Sequence, residues 1–206
     1  MKNNYTSLAS ENSIKKTTEA LFKNNINSHI AGSVEEAKKQ IFTLIPEGAE
    51  VMTATSTTLD QLDVTSYLND SGKYNSVKSQ LMKMDRATQG LEMQKIGAAP
   101  EYVIGSVHAI TEDGKAVIAS GSGSQLPAYS YGAANVAWVV STKKIVQNLD
   151  EAMDRIYTHV LPLEDQRMKK VYGPDSGSNP NKILVVNREL NPKRITVIFV
   201  KEDLGF

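Results

Sequence analysis

The chain has no cysteine. That single absence excludes a disulfide framework, a thiolate zinc site, a cysteine-ligated iron–sulfur cluster and a cysteine nucleophile. Histidine is nearly as scarce. Only His29, His108 and His159 occur, so no metal site built from histidines is expected. Net charge is missing too, with 23 Lys and Arg against 23 Asp and Glu. The balance is local: residues 1–100 carry 11 of each sign and residues 101–206 carry 12 of each. A nucleic-acid-binding module needs a surplus of cations on one face, so that class is not expected. No apolar run approaches the roughly 18 residues of a membrane span. The polar stretch Met1–Asn12 has no apolar core of a signal peptide. These absences predict a cytoplasmic globular protein. Its 206 residues, 40% of them apolar, suit one domain with at most a small appendage.

What is present alternates between short apolar runs and amphipathic stretches. Ile14 to Phe22 reads as a first helix, with Asn12 and Ser13 as cap candidates. Ile26 to Ala31 reads as a strand. Ser33 and Glu36 form a capping-box pattern ahead of a helix whose Val34, Ala37, Ile41, Leu44 and Ile45 share one face. Ala49 to Thr53 is a second strand. Residues 73–96 read as mostly helical, with Val77, Leu81, Met84 and Leu91 as core candidates and Gly90 and Gly97 as breaks. Tyr102 to Ile110 reads as one strand, turned back at Glu112-Asp113-Gly114 into Ala116–Ala119. Gly121-Ser122-Gly123-Ser124 is expected to open a helix. Asn135 to Val140 is a buried strand around Trp138. Asn148 and Glu151 cap a helix, and another follows at Leu163–Val171. Ile183–Val186 and Ile195–Val200 close the chain as strands. The pattern predicts an α/β fold with a doubly wound, mainly parallel mixed sheet and helices on both faces. Residues 1–25 form an N-terminal helical extension and residues 26–206 the α/β domain.

Four segments could carry chemistry. Thr55, Ser56, Thr57 and Thr58 follow a strand, where small hydroxyls and free N–H groups suit an anion. One of them would otherwise serve simply as an N-cap. Gly121, Ser122, Gly123, Ser124 and Gln125 make a second such loop, or else a plain flexible turn. His108 and Glu112 are the catalytic candidates, as base and as acid, base or nucleophile. Asp113 belongs to the turn. Lys144, rather than Lys143, is the expected charged partner of the anion, because it continues the alternation of Val136, Trp138 and Val140. Glu164-Asp165-Gln166-Arg167 and Arg188-Glu189 read as surface or interface pairs, worth about 0–1 kcal/mol each. The two hydroxyl-rich loops are expected to border one cleft, with His108 on its wall.

In combination, His108-Ala109-Ile110-Thr111-Glu112-Asp113-Gly114-Lys115, the run Ala119–Ala128, Lys144-Ile145-Val146 and the closing Val200–Phe206 resemble the LUD family, the lactate utilization proteins. The likeness is strong from about Pro100 to Phe206 and looser toward the Ser33 helix and the Thr55–Thr58 loop. It implies a fold like those of ribose-5-phosphate isomerase, glucosamine-6-phosphate deaminase and the CoA transferases. In those relatives a small-residue loop after an early strand holds an anion, and Thr55–Thr58 stands at that place without the usual glycines. Ser106–Ile110 is similar to a strand that carries a catalytic Asp in methylthioribose-phosphate isomerases, with His108 in its place. Glu112 is the nearest counterpart of the CoA-transferase glutamate.

The resemblance implies organic-acid (lactate) utilization by a protein that binds a small anionic metabolite. Iron–sulfur subunits would be its partners, since a cysteine-free chain cannot be one. Two other readings stand beside it. One is an isomerase or acyl/CoA transferase acting on a phosphorylated or carboxylate substrate. The other is a non-catalytic structural subunit of a lactate-oxidising complex. No cofactor, metal, nucleic acid or membrane span is implied, and self-association into a homo-oligomer is compatible with the sequence.

Overall fold

The structure, a computed structural model, describes residues 5–206; Met1–Asn4 of the polar N-terminal stretch lie outside it. The chain starts with helix α1 (Glu11–Lys23), capped by Ser10 rather than by Asn12 or Ser13: the Ser10 side chain accepts from the Ser13 N–H. Strand β1 (Asn27–Ala31) and helix α2 (Val34–Leu44) follow. Here the capping pattern acts as read. Ser33 Oγ accepts the Glu36 N–H, and the Glu36 carboxylate reaches back to the Gly32 N–H at 2.8 Å. Next come β2 (Glu50–Thr53), α3 (Thr57–Gln61), α4 (Val64–Asp70), β3 (Asn75–Ser76), α5 (Val77–Leu81) and α6 (Arg86–Ala98). Beyond them are β4 (Tyr102–Gly105), β5 (Ala109–Thr111), β6 (Ala116–Ser120), β7 (Asn135–Ser141) and β8 (Ile145–Val146). The chain closes with α7 (Leu149–Arg155), α8 (Leu161–Tyr172), β9 (Lys182–Val186) and β10 (Ile195–Val200).

The main sheet has six strands in the order β1-β10-β7-β4-β2-β3, and every pairing in it is parallel. Parallel strands need crossovers that cover both faces, so their side chains are buried on both sides. β7 shows this. Val136, Trp138 and Val140 join Val103, Tyr129 and Phe199 in one core. Ala137 and Val139 point the other way, into a second core with Ile41, Leu59, Ile104 and Ile198. The fold is thus the doubly wound α/β type.

The mixed character resides in a separate four-stranded sheet, β8-β5-β6-β9, whose β5–β6 and β6–β9 pairs are antiparallel. This corrects the reading of Tyr102–Ile110 as one strand. Tyr102–Gly105 pairs in the main sheet between β2 and β7, whereas Ala109–Thr111 pairs in the second sheet. Apolar residues occur on both sides of the break, so hydrophobicity alone does not mark it. The two closing strands likewise belong to different sheets. The turn at Gly114 is as expected, with positive φ, and a Cβ there would press on the α1 backbone at Ala20 and Leu21.

Two further expectations change. Gly90 does not break α6, which kinks at Gln89 instead. Leu91 is 68% exposed, because α6 buries only Gly97 fully. Gly121–Ser124 does open a helix: Leu126 and Pro127 are α-helical and run into a one-turn π-helix, Ala128–Gly132, held by the buried Arg194. Arg194 Nη2 donates to the carbonyls of Ala128 (2.9 Å) and Tyr129 (3.0 Å), Nε donates to that of Ala133 (2.9 Å), and Nη1 pairs with Glu189 at 2.7 Å. Glu189 therefore pairs with Arg194 within the fold.

Candidate functional site

A cleft of about 680 Å³ opens at the carboxyl ends of β2, β4 and β7. Ligands bind at this end of an open α/β sheet because loops leave the strands there with unpaired backbone groups. The structure brings Thr55–Thr58, Gly121, Ser122, Ser124, Gln125, His108 and Lys144 around it. Residues between Ile156 and Tyr172 also line it.

The two hydroxyl-rich loops are built differently. In the first, Ser56 is the N-cap of α3, accepting the Leu59 N–H. Thr55 Oγ1 accepts from Lys78 Nζ at 3.3 Å, and the buried Thr58 Oγ1 accepts from Lys144 Nζ at 3.1 Å. In the second, the hydroxyls bond within the loop. Ser120 Oγ donates to Gln125 Oε1 and accepts the Gly123 N–H, and Ser122 pairs with Ser124. Gly123 supports that turn and does not line the cleft.

The floor of the cleft comes from two short crossings between the sheets. β4 passes to β5 through Ser106, Val107 and His108, and β7 passes to β8 through a 3₁₀ turn, Thr142–Lys144. β7 ends at Ser141, so strand alternation does not orient the lysines; the 3₁₀ turn separates them instead. Lys143 pairs with the Asp203 carboxylate and donates to the Gly205 carbonyl at 2.6 Å. Lys144 is only 3% exposed and lies in the floor. Its Nζ contacts Thr58 Oγ1 (3.1 Å), Ser106 Oγ (3.1 Å) and the Val107 carbonyl (3.3 Å), all of them neutral oxygens.

Behind the floor lies Arg155, fully buried on α7. One Nη1 hydrogen bond, 2.5 Å long, goes to the His108 carbonyl, and Nε and Nη2 have no partner among the described residues. The Arg155 guanidinium lies 5.8 Å from the Tyr5 ring centre. The consequences for charge are direct. Burial, then Arg155, then Lys143 hold the Lys144 pKa well below the usual lysine range. Burial, then Lys144 and Arg155, push His108 down to about 3, so its imidazole is neutral. The Ala119 N–H donates to His108 Nδ1 at 3.1 Å, which leaves Nε2 to carry the ring proton. Glu164 is the only acidic side chain lining the cleft among the described residues, and Arg167 grips both its oxygens at 2.6 and 2.7 Å. With Lys78 and Arg86 on the same lining, the cleft is cationic in a chain that is neutral overall.

Glu112 is not brought to this cleft. Its carboxylate binds Lys16 Nζ and Ser13 Oγ, each at 2.7 Å, and so ties the hairpin to α1. Arg155, Arg167, Arg86, Lys78 and Tyr129 are the lining or supporting residues that sequence reasoning missed. For Arg155 a signal existed: it follows Ala152 by three positions and precedes Ile156 on the buried face of α7.

Tyr129 reaches the cleft because β4 ends in glycine. A Cβ on Gly105 would collide with the Tyr129 hydroxyl and sit 3.0 Å from Ala54 Cβ. Gly105→Ala should therefore lower the unfolding free energy by about 1–3 kcal/mol, the usual cost of overpacking. Part of that loss should return in the Gly105→Ala/Tyr129→Phe double variant. Urea midpoints of the four proteins check this, and strict additivity would refute the contact.

A profile of the LUD domain matches residues 14–200. Among solved structures, the chain is similar to a DUF162 family protein from Deinococcus radiodurans. The two share 11% identity with a TM-score of 0.58, over 94% of this chain and 99% of that one. At that identity the likeness carries the fold. No curated protein matches.

Proposed function

The chain belongs to the LUD domain family, and from that premise we propose that it serves organic-acid utilization by holding a small carboxylate- or phosphate-bearing metabolite on the floor of its cleft. One observation carries the reading. Lys144 is buried at the cleft floor with neutral oxygens around it and no carboxylate partner among the described residues. Burial and the neighbouring cations disfavour a charge on Lys144, and an incoming anion offsets them. The hydroxyls of Thr55–Thr58 and the backbone N–H groups of Gly121, Ser122 and Gln125 would supply further donors, and His108 Nε2–H another. The lactate link comes with the family.

The transferase alternative loses its nucleophile, since Glu112 faces α1 and Glu164 is held by Arg167. Iron–sulfur subunits remain the proposed partners.

A thermal-shift panel of L-lactate, pyruvate, sugar phosphates and CoA tests the reading. A ligand at 100 times its Kd should stabilise the protein by about 2.7 kcal/mol. Lys144→Ala should weaken the ligand found by about 1.5–3 kcal/mol, the loss of one charge-assisted hydrogen bond. Lys143→Ala should leave affinity unchanged, because its ammonium is already paired with Asp203. No stabilisation by any member of the panel, or equal losses from the two lysine variants, would count against the site.

A further inference from the structure

We propose that Lys144 is a nucleophilic amine that captures the carbonyl carbon of a 2-oxo acid as a reversible imine. The inference rests on the anion-binding reading of the cleft and adds the chemical class of its ligand.

The oxygens around Nζ can serve a free amine as well as an ammonium. An ammonium ion has three donors and no acceptor, whereas a neutral amine has two donors and a lone pair. Of the three oxygens near Lys144 Nζ, Val107 O can only accept. Thr58 Oγ1 and Ser106 Oγ are hydroxyls that either accept or donate. One of them can accept the second amine proton while the other donates to the lone pair. A buried ammonium would ordinarily be matched by a carboxylate, and Lys143, its neighbour in sequence, does have one in Asp203. Lys144 instead faces the fixed positive charges of Arg155 and Lys143, which with burial favour the unprotonated form. A lysine desolvated beside another cation is a standard way to obtain an amine that attacks carbonyls near neutral pH.

The step balances on these residues. The Nζ lone pair forms a bond to the carbonyl carbon, and the C=O π pair moves to oxygen, which takes one amine proton. The resulting carbinolamine loses its hydroxyl as water, with the second amine proton, and leaves a C=N bond. Hydrolysis reverses the sequence, so no oxidant or reductant is needed. His108, neutral and protonated on Nε2, is suited to donate a hydrogen bond to the carbonyl oxygen as charge develops there. A carboxylate next to the carbonyl fits the hydroxyl-rich loops and the cationic lining.

The test is reductive trapping. The full chain is incubated with pyruvate and sodium cyanoborohydride, digested, and mapped by mass spectrometry, with L-lactate and pyruvate binding followed in parallel by thermal shift. The expected result is a reduced pyruvate adduct on Lys144, about tenfold or more above that on any exposed lysine. Lys144→Arg, which keeps hydrogen-bond donors and loses the nucleophile, should show only the background. Wild-type mapping stands by itself if that variant folds poorly. Stabilisation by both acids with no Lys144 adduct would overturn the imine and leave the anion site standing. Adduct spread evenly over the lysines would also overturn it. Absence of both binding and adduct would overturn the two together.

Discussion

Arg194→Met should lower the unfolding free energy by about 3–5 kcal/mol, the usual result of removing one partner from a buried ion pair. The side chain has a double duty. It neutralises Glu189, which is itself mostly buried, and it satisfies the carbonyls of Ala128, Tyr129 and Ala133. Of these acceptors the Ala128 carbonyl also takes the Ala133 N–H, and Arg194 serves all three where burial withholds water. Lysine at this position should rescue little, because a point charge cannot reproduce the planar fork that serves four acceptors. Glu189→Gln should cost clearly less than Arg194→Met, since it keeps an acceptor for Nη1. Urea titration of the three variants gives the comparison. A loss below about 1 kcal/mol for Arg194→Met would mean that water replaces the guanidinium, contrary to its burial.

Trp138→Ala is the second large loss, again about 3–5 kcal/mol. Trp138 is fully buried in the middle of β7 and meets Tyr129 edge-on, with ring centres 5.6 Å apart. Its removal opens a cavity directly behind the cleft wall, so ligand affinity should fall along with stability. Trp138→Phe should cost less than about 1.5 kcal/mol, because most of the packing volume is kept. It also removes an indole N–H that is buried without a hydrogen-bond partner among the described residues. Calorimetry of the two variants decides between packing volume and the indole itself. Equal losses for Ala and Phe would point away from cavity formation.

Much of the scaffold was legible where local chemistry and tertiary structure agree. The Ser33–Glu36 pattern and the Asn148–Glu151 pair start helices as read, because capping is satisfied within four residues. The apolar run of β7 announces a strand buried on both faces. The two hydroxyl-rich loops border one cleft as expected, yet only the first follows a strand of the parallel sheet; the second follows β6 of the other sheet. The rest depends on distant partners. No residue near Ser106 announces that the chain changes sheets, because the pairing partners of Ala109–Thr111 lie in β6 and β8. Glu112 looks like a free carboxylate until α1 delivers Lys16 and Ser13 to it from about 100 residues away in sequence. Arg155 and Arg194 look like surface charges, since their burial is decided by what packs over them. Strand alternation points to Lys144, yet a 3₁₀ turn is what aims it.

The two crossings that form the floor lie side by side. β4 pairs with β7 before them and β5 pairs with β8 after them, both in parallel. Ser106–His108 and Thr142–Lys144 are thus rungs clamped at both ends by hydrogen-bonded ladders. Adding or deleting a residue in either rung would slide the strand beyond it by one step and turn its side chains inside out. Over evolutionary time the floor can therefore exchange side chains but not length. Insertions and deletions are left to segments such as Gly173–Ser176, which carries no ladder and does not line the cleft.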